Sequence, residues 1–137
     1  MKINTLHDAL VHEMRDLYSA EVQLTKALPR MAKAASHEEL VAAFEEHLKQ
    51  TKGHVERLEK AFKRLDASTR GEKCKAMEGL IEEGKSTLEL DADDMVRDAL
   101  LIGVAQKVEH YEIAGYGTAR AIDCSRHGLV KFGSLDG

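Results

Sequence analysis

The chain has 137 residues and a formal net charge of -4, with 43% hydrophobic and 32% charged residues. That balance describes one globular domain rather than a disordered chain, and it offers no electrostatic hold on nucleic acid or an anionic membrane. A single Pro, no Trp and abundant Ala, Leu, Glu and Lys exclude a loop-rich β-sandwich or barrel and point to an all-α fold. No apolar run approaches the roughly 20 residues of a spanning helix, and Met1–Thr5 carries no apolar signal-peptide core. Cys74 and Cys124 follow no disulfide or metal spacing, so a cytoplasmic protein with reduced thiols is expected.

The first helix is predicted over about 5–35. Thr5 and Asp8 form a variant capping box, and Leu10, Met14, Leu17, Leu24, Leu28 and Met31 follow at helical spacing. Pro29 should kink or loosen its last turns. Ser36 and Glu39 give a second capping box that opens a helix over about 37–66, with Leu40, Phe44, Leu48, Val55, Leu58, Phe62 and Leu65 on one face. So short a link makes these two an antiparallel hairpin. A shorter helix is expected over 72–89, and a last long one over 94–122 with Leu101, Val104, Ala105, Val108, Ile113 and Ala119 as its stripe. Gly103, Gly115 and Gly117 inside it are each unfavourable by about 1 kcal/mol against Ala, which close approach of a neighbouring helix explains. Residues 123–137 have no helical period and read as an irregular tail, so the helical domain spans 1–122.

Three carboxylates fall on apolar faces. Glu21 lies four residues after Leu17 and seven after Met14, inside the first stripe. Glu112 lies four residues after Val108, and Glu109 precedes it by one turn. A buried charge needs a partner, and two stacked carboxylates need a cation or a proton between them. In the second helix Thr51 interrupts the apolar face, with His47 and His54 at its edge, seven residues apart and projecting alike. Inward carboxylates with histidines from facing helices are how bundles build di-iron and di-manganese sites. An ion pair between Glu21 and a buried Arg or Lys, with boundary histidines, is the other reading. For Tyr18, Tyr111 and Tyr116 the residues favour boundary aromatics with surface hydroxyls over a redox or hydrogen-bonding role.

The runs Asp16-Leu17-Tyr18-Ser19-Ala20-Glu21 and Gln23-Leu24-Thr25-Lys26-Ala27-Leu28-Pro29 resemble the start of the YciE/YciF family of bacterial ferritin-like stress proteins. The similarity continues in His47-Leu48 with Thr51-x-Gly53-His54-x-Glu56-Arg57, in Ala76-Met77-Glu78-Gly79-Leu80-Ile81-Glu82-Glu83, and in Ala105-Gln106-Lys107-Val108-Glu109-His110-Tyr111-Glu112-Ile113-Ala114. It covers about Leu6 to Arg120.

The resemblance implies a ferritin-like, rubrerythrin-like antiparallel bundle with a crossover helix, cytoplasmic and dimeric. It implies Glu21, Glu109 and Glu112 as metal ligands, His54 as the nitrogen ligand of the second helix, and iron or manganese as the metal. Two departures stand out. Gln50 stands where the family commonly has Glu, and the family's fourth bundle helix, with its Glu-Glu-x-x-x-Asp motif, has no counterpart after Arg120. An apolar groove left by that helix would be covered by a homodimer or higher oligomer. Two functions follow as expectations. One is a stress protein with a carboxylate-rich, degenerate di-metal site for peroxide, oxygen or ferrous-iron chemistry, peroxidase-like or ferroxidase-like if active. The other is a non-enzymatic dimeric interaction protein that has lost its metal.

Overall fold

The computed structural model describes residues 2–128, and among these the chain forms four α-helices and no strand. Helix α1 spans Leu6–Ala34. Its Thr5 cap forms as expected: the Asp8 N–H donates to Thr5 Oγ1 at 3.0 Å, and the Asp8 carboxylate accepts from the Thr5 N–H at 3.3 Å. The helix runs on through Pro29 to Ala34.

Helix α2 spans Glu38–Arg64, and its cap differs from the expected one. His37 Nδ1, rather than Ser36, accepts from the Glu39 N–H at 3.2 Å. The Ser36 and His37 N–H groups instead donate to the Asp98 carboxylate at 2.8 and 2.9 Å, which ties the turn to the last helix.

Helix α3 spans Lys75–Leu88, starting three residues later than expected. Cys74 is its cap, with Sγ accepting from the Met77 N–H at 3.4 Å. Cys74 is itself pinned to α1, because its N–H donates to Ser19 Oγ at 2.8 Å and its carbonyl accepts from Gln23 Nε2 at 3.1 Å.

Helix α4 spans Asp94–Arg126, so 123–126 are helical and not part of an irregular tail. Arg126 secures this last turn through Asp123 at 3.1 Å and the His7 ring at 2.8 Å. The remainder of the expected tail, 129–137, lies outside the described residues. No helix among the described residues is long and apolar enough to cross a membrane.

Helix α1 packs against all three others, and α3 also packs on α4. Tyr18 meets Phe62 while Glu21 meets His54, so α1 and α2 run antiparallel. His7 meets Arg126 while Ser36 meets Asp98, so α1 and α4 are antiparallel too. At Gly115 an added Cβ would lie 2.6 Å from Leu17 Cδ2, and Leu17 is fully buried with little room to yield. Close helix approach therefore accounts for Gly115. It does not account for Gly103 or Gly117, which have open space.

The core is two apolar clusters separated by a polar layer. One gathers Leu24, Leu28, Phe44, Met77, Leu101 and Val108. The other gathers Leu10, Leu17, Leu58, Phe62, Ala119 and Ile122. Between them, one per long helix, sit the buried polar side chains Glu21, Thr51 and Glu112. One member of the expected α4 stripe departs from it, since Ile113 is 66% exposed.

Candidate metal centre

The polar layer has a local cause in each helix. Glu21 occupies a position in the α1 stripe where Leu17, Leu24 and Leu28 are all buried, so α1 cannot be buried without carrying it inward. Glu112 takes the equivalent position on α4, one turn after buried Val108. On α2, Thr51 turns its hydroxyl back to the His47 carbonyl at 2.7 Å and so spends its donor within its own helix.

Glu21, His54 and Glu112 each bring one ligand-type atom to a common point, all within 4.8 Å of one another. His54 Nδ1 is 3.3 Å from Glu21 Oε1 and 3.8 Å from Glu112 Oε2. His47 Nε2 lies 3.3 Å from the other oxygen, Glu112 Oε1. The Tyr116 hydroxyl donates to Glu21 Oε1 at 2.8 Å. Among the described residues Glu21 Oε2 is left buried without a hydrogen-bond partner, and His54 Nδ1 likewise lacks an aligned one. Native structures rarely leave such atoms unpaired, because each costs about 1–3 kcal/mol.

These surroundings set the charges. Burial above all, then the neighbouring Glu112 carboxylate, pushes Glu21 up to about 8 against the opposing Tyr116 hydrogen bond. Burial would raise Glu112 as well, but its hydrogen bond with His47, the neighbouring Glu21 carboxyl and the charge of the two histidines hold it below its usual value. The hydrogen bond to Glu112 raises His47 despite its burial. His54 is lowered, chiefly by burial, which favours the neutral imidazole that ligates metals.

The layer opens on one side into a cleft of about 460 Å³ between α2 and α4, lined by His47, Gln50, His54 and Arg57 facing Glu109, Glu112, Ile113 and Tyr116. Of the four ligands expected from the sequence, the structure brings Glu21, His54 and Glu112 together. Glu109 is exposed on the cleft wall outside this group. Gln50 is exposed too, and its amide donates to Glu46 at 3.4 Å.

Two contributors escape the sequence reading. His47 carries a signal, its seven-residue spacing from His54, but nothing in the sequence shows that Glu112 faces it. Tyr116 is expected to keep a surface hydroxyl and instead holds Glu21, which corrects that reading. Tyr111 departs from it as well: its hydroxyl donates to the Asp16 carboxylate and lies 3.1 Å from Cys74 Sγ. Tyr18 alone keeps an exposed hydroxyl bond, to Glu59 at 3.1 Å.

A family model described as a domain of unknown function (DUF892) matches residues 5–128. Protein YciF of Escherichia coli (strain K12) is 48% identical over 119 residues, which cover 86% of this chain and 72% of that protein. The crystal structure of the E. coli stress protein YciF superposes with a TM-score of 0.86 at 44% identity, covering 93% of this chain and 80% of that one. YcfI from Rhodopseudomonas palustris superposes with the same TM-score of 0.86 at 43% identity, covering 93% and 81%. The match over nearly all described residues, with the fold shared by these relatives, places the chain in the DUF892 family.

Proposed function

We propose that the chain is a stress-response protein that holds a divalent transition metal, iron or manganese, on Glu21, His54 and Glu112. One observation carries this reading: a fully buried carboxylate, Glu21, has one oxygen unpartnered and lies against a second carboxylate and an imidazole. A cation satisfies that oxygen and takes the place of the Glu21 proton, which in the metal-free chain relieves the repulsion between Glu21 and Glu112. Carboxylate oxygens with one imidazole suit iron(II) and manganese(II). Among the described residues Glu21 pairs with His54 and Tyr116 and with no Arg or Lys, the other partner the sequence allows.

Such a metal, when bound, supplies redox and Lewis-acid chemistry toward peroxide or oxygen. The chain's own residues do the rest. Tyr116 fixes the Glu21 carboxylate through one oxygen, and His47 fixes Glu112 in the same way. His54 offers a neutral nitrogen, and the cleft admits a small molecule to the layer. Leu17 and Leu58 below the layer, with Leu24 and Val108 above it, keep water to the open side.

The test is thermal unfolding with and without manganese(II). A ligand at about a hundred times its Kd stabilises the folded state by roughly 2.7 kcal/mol, several degrees for a chain of this size. We expect that rise in the native protein and none in Glu21→Gln. Equal behaviour of the two would sink the assignment.

The ferritin-like architecture belongs to the same proposal. It is supported by α2 and α4 flanking α1 with an open cleft between them, the place a fourth long helix takes in such bundles. Met95, Val96, Leu100, Ile102 and Ile113 are large apolar side chains exposed on α4. They support a homodimer or higher oligomer. Light scattering at micromolar concentration is the check, and a mass of one chain contradicts it.

A further inference from the structure

The number of ions the layer takes follows from its charges and donors. Resting on the metal assignment above, we infer that the site is mononuclear: one divalent ion per chain on Glu21, His54 and Glu112, with His47 as a positioning residue and no second ion beside it.

Charge is the first ground. Among the described residues the layer buries two carboxylates, Glu21 and Glu112. One divalent cation neutralises them, whereas a second leaves two uncompensated positive charges against leucine and valine, which a low-dielectric interior penalises heavily. Position 50 could have added a negative charge from α2, but Gln50 is neutral and its amide is turned to Glu46 at the surface. Glu109 is exposed on the cleft wall, where its charge faces solvent and not the buried layer.

Donor supply is the second ground. Paired ions in two-metal sites sit about 3.5–4 Å apart and share bridging oxygens, so each needs terminal donors of its own. Here Glu21 Oε1 is engaged by Tyr116 and Glu112 Oε1 by His47. One oxygen of each carboxylate joins His54 Nδ1, which lies 3.3 Å from Glu21 Oε1 and 3.8 Å from Glu112 Oε2, and among the described residues no second group of three such donors stands beside them. They provide one coordination centre, with its other positions open to the cleft.

His47 falls outside the trio of mutually close donors and contacts only Glu112 within it. Its work is to hold the outer oxygen of Glu112 so that the inner one meets the ion. Such supporting partners typically set metal affinity by about 10–100-fold.

The test is to load the full chain with manganese(II), desalt it, and measure bound metal by elemental mass spectrometry beside the paramagnetic resonance spectrum. One ion per chain with the hyperfine pattern of an isolated ion is expected. Spin-echo modulation from one directly bound nitrogen should vanish in His54→Ala and persist in His47→Ala, the latter binding about 10–100-fold more weakly. Two ions per chain with an exchange-coupled spectrum would overturn the mononuclear inference and leave the metal assignment standing. Loss of the nitrogen modulation in His47→Ala would overturn the positioning role. No bound manganese at all would overturn the metal assignment itself, and this inference with it.

Discussion

Glu21→Leu is expected to raise the melting temperature of the metal-free chain and to abolish its stabilisation by manganese. Glu21 is 0% exposed, with one oxygen unpartnered. Leucine has a similar volume and continues the stripe of Leu17, Leu24 and Leu28. Replacing a buried ionisable group by a well-packed apolar one is often neutral or stabilising by about 1–4 kcal/mol. The Tyr116 hydroxyl loses its acceptor, a penalty of about 1 kcal/mol that its place on the cleft lets water reduce. The net expectation is a gain of about 1–2 kcal/mol, or roughly 3–8 °C for a domain of this size. Differential scanning calorimetry with and without manganese reads both effects. A residue kept at the expense of stability is what a functional carboxylate looks like, so a large destabilisation with metal response intact would contradict its role as a ligand.

Stability of the metal-free chain should fall as pH rises from about 4.5 to 8. The Glu21 carboxyl keeps its proton to about 8 in the folded state but releases it near 4.5 when unfolded. Across that window the native state binds more protons, so each step up in pH favours unfolding. The loss from this one group is on the order of 2–4 kcal/mol. His47 acts in the same direction, because a raised histidine contributes stability below its ordinary value and loses it as pH passes its folded value. Two groups oppose them. Glu112 sits below its usual value and withdraws stability only as pH falls beneath the carboxylate range. His54, also lowered, disfavours acidification just under its ordinary value. Urea titrations at about pH 5.5 and 8.5, chosen to bracket the folded-state titration of Glu21, are the check. The higher midpoint is expected at the lower pH, with the difference much reduced in Glu21→Gln. Saturating manganese should reverse the trend, since the ion displaces the Glu21 proton and binds more tightly at high pH.

Periodicity reaches some parts of this design and not others. Along α1 the spacing of Leu10, Met14, Leu17, Leu24, Leu28 and Met31 fixes the buried face, so Glu21 is out of place on spacing alone. The Thr5–Asp8 box is equally local and forms as read. On α4 the signal is weaker. Ile113 is exposed while its neighbour Glu112 is buried, because the helix turns the carboxylate inward against His47 and His54. The Ser36 box fails because Asp98, 62 residues away, takes the amide that a local cap would have used. His47 pairs with Glu112 across 65 residues, and Tyr116 with Glu21 across 95. Periodicity tells which way a side chain points and nothing of what stands opposite. Glu109, one turn from Glu112, shows the limit from the other side: three residues rotate it far enough around the helix to leave the layer for the cleft wall.

The most direct measurement is an anomalous difference map from crystals of the full chain grown with manganese(II). The expected result is a peak in the polar layer, in contact with Glu21, His54 and Glu112 and absent from Glu21→Gln crystals. A layer without a peak, with Glu21 Oε2 bonded instead to water or to a protein donor, would contradict the claim that this cluster exists to hold a metal.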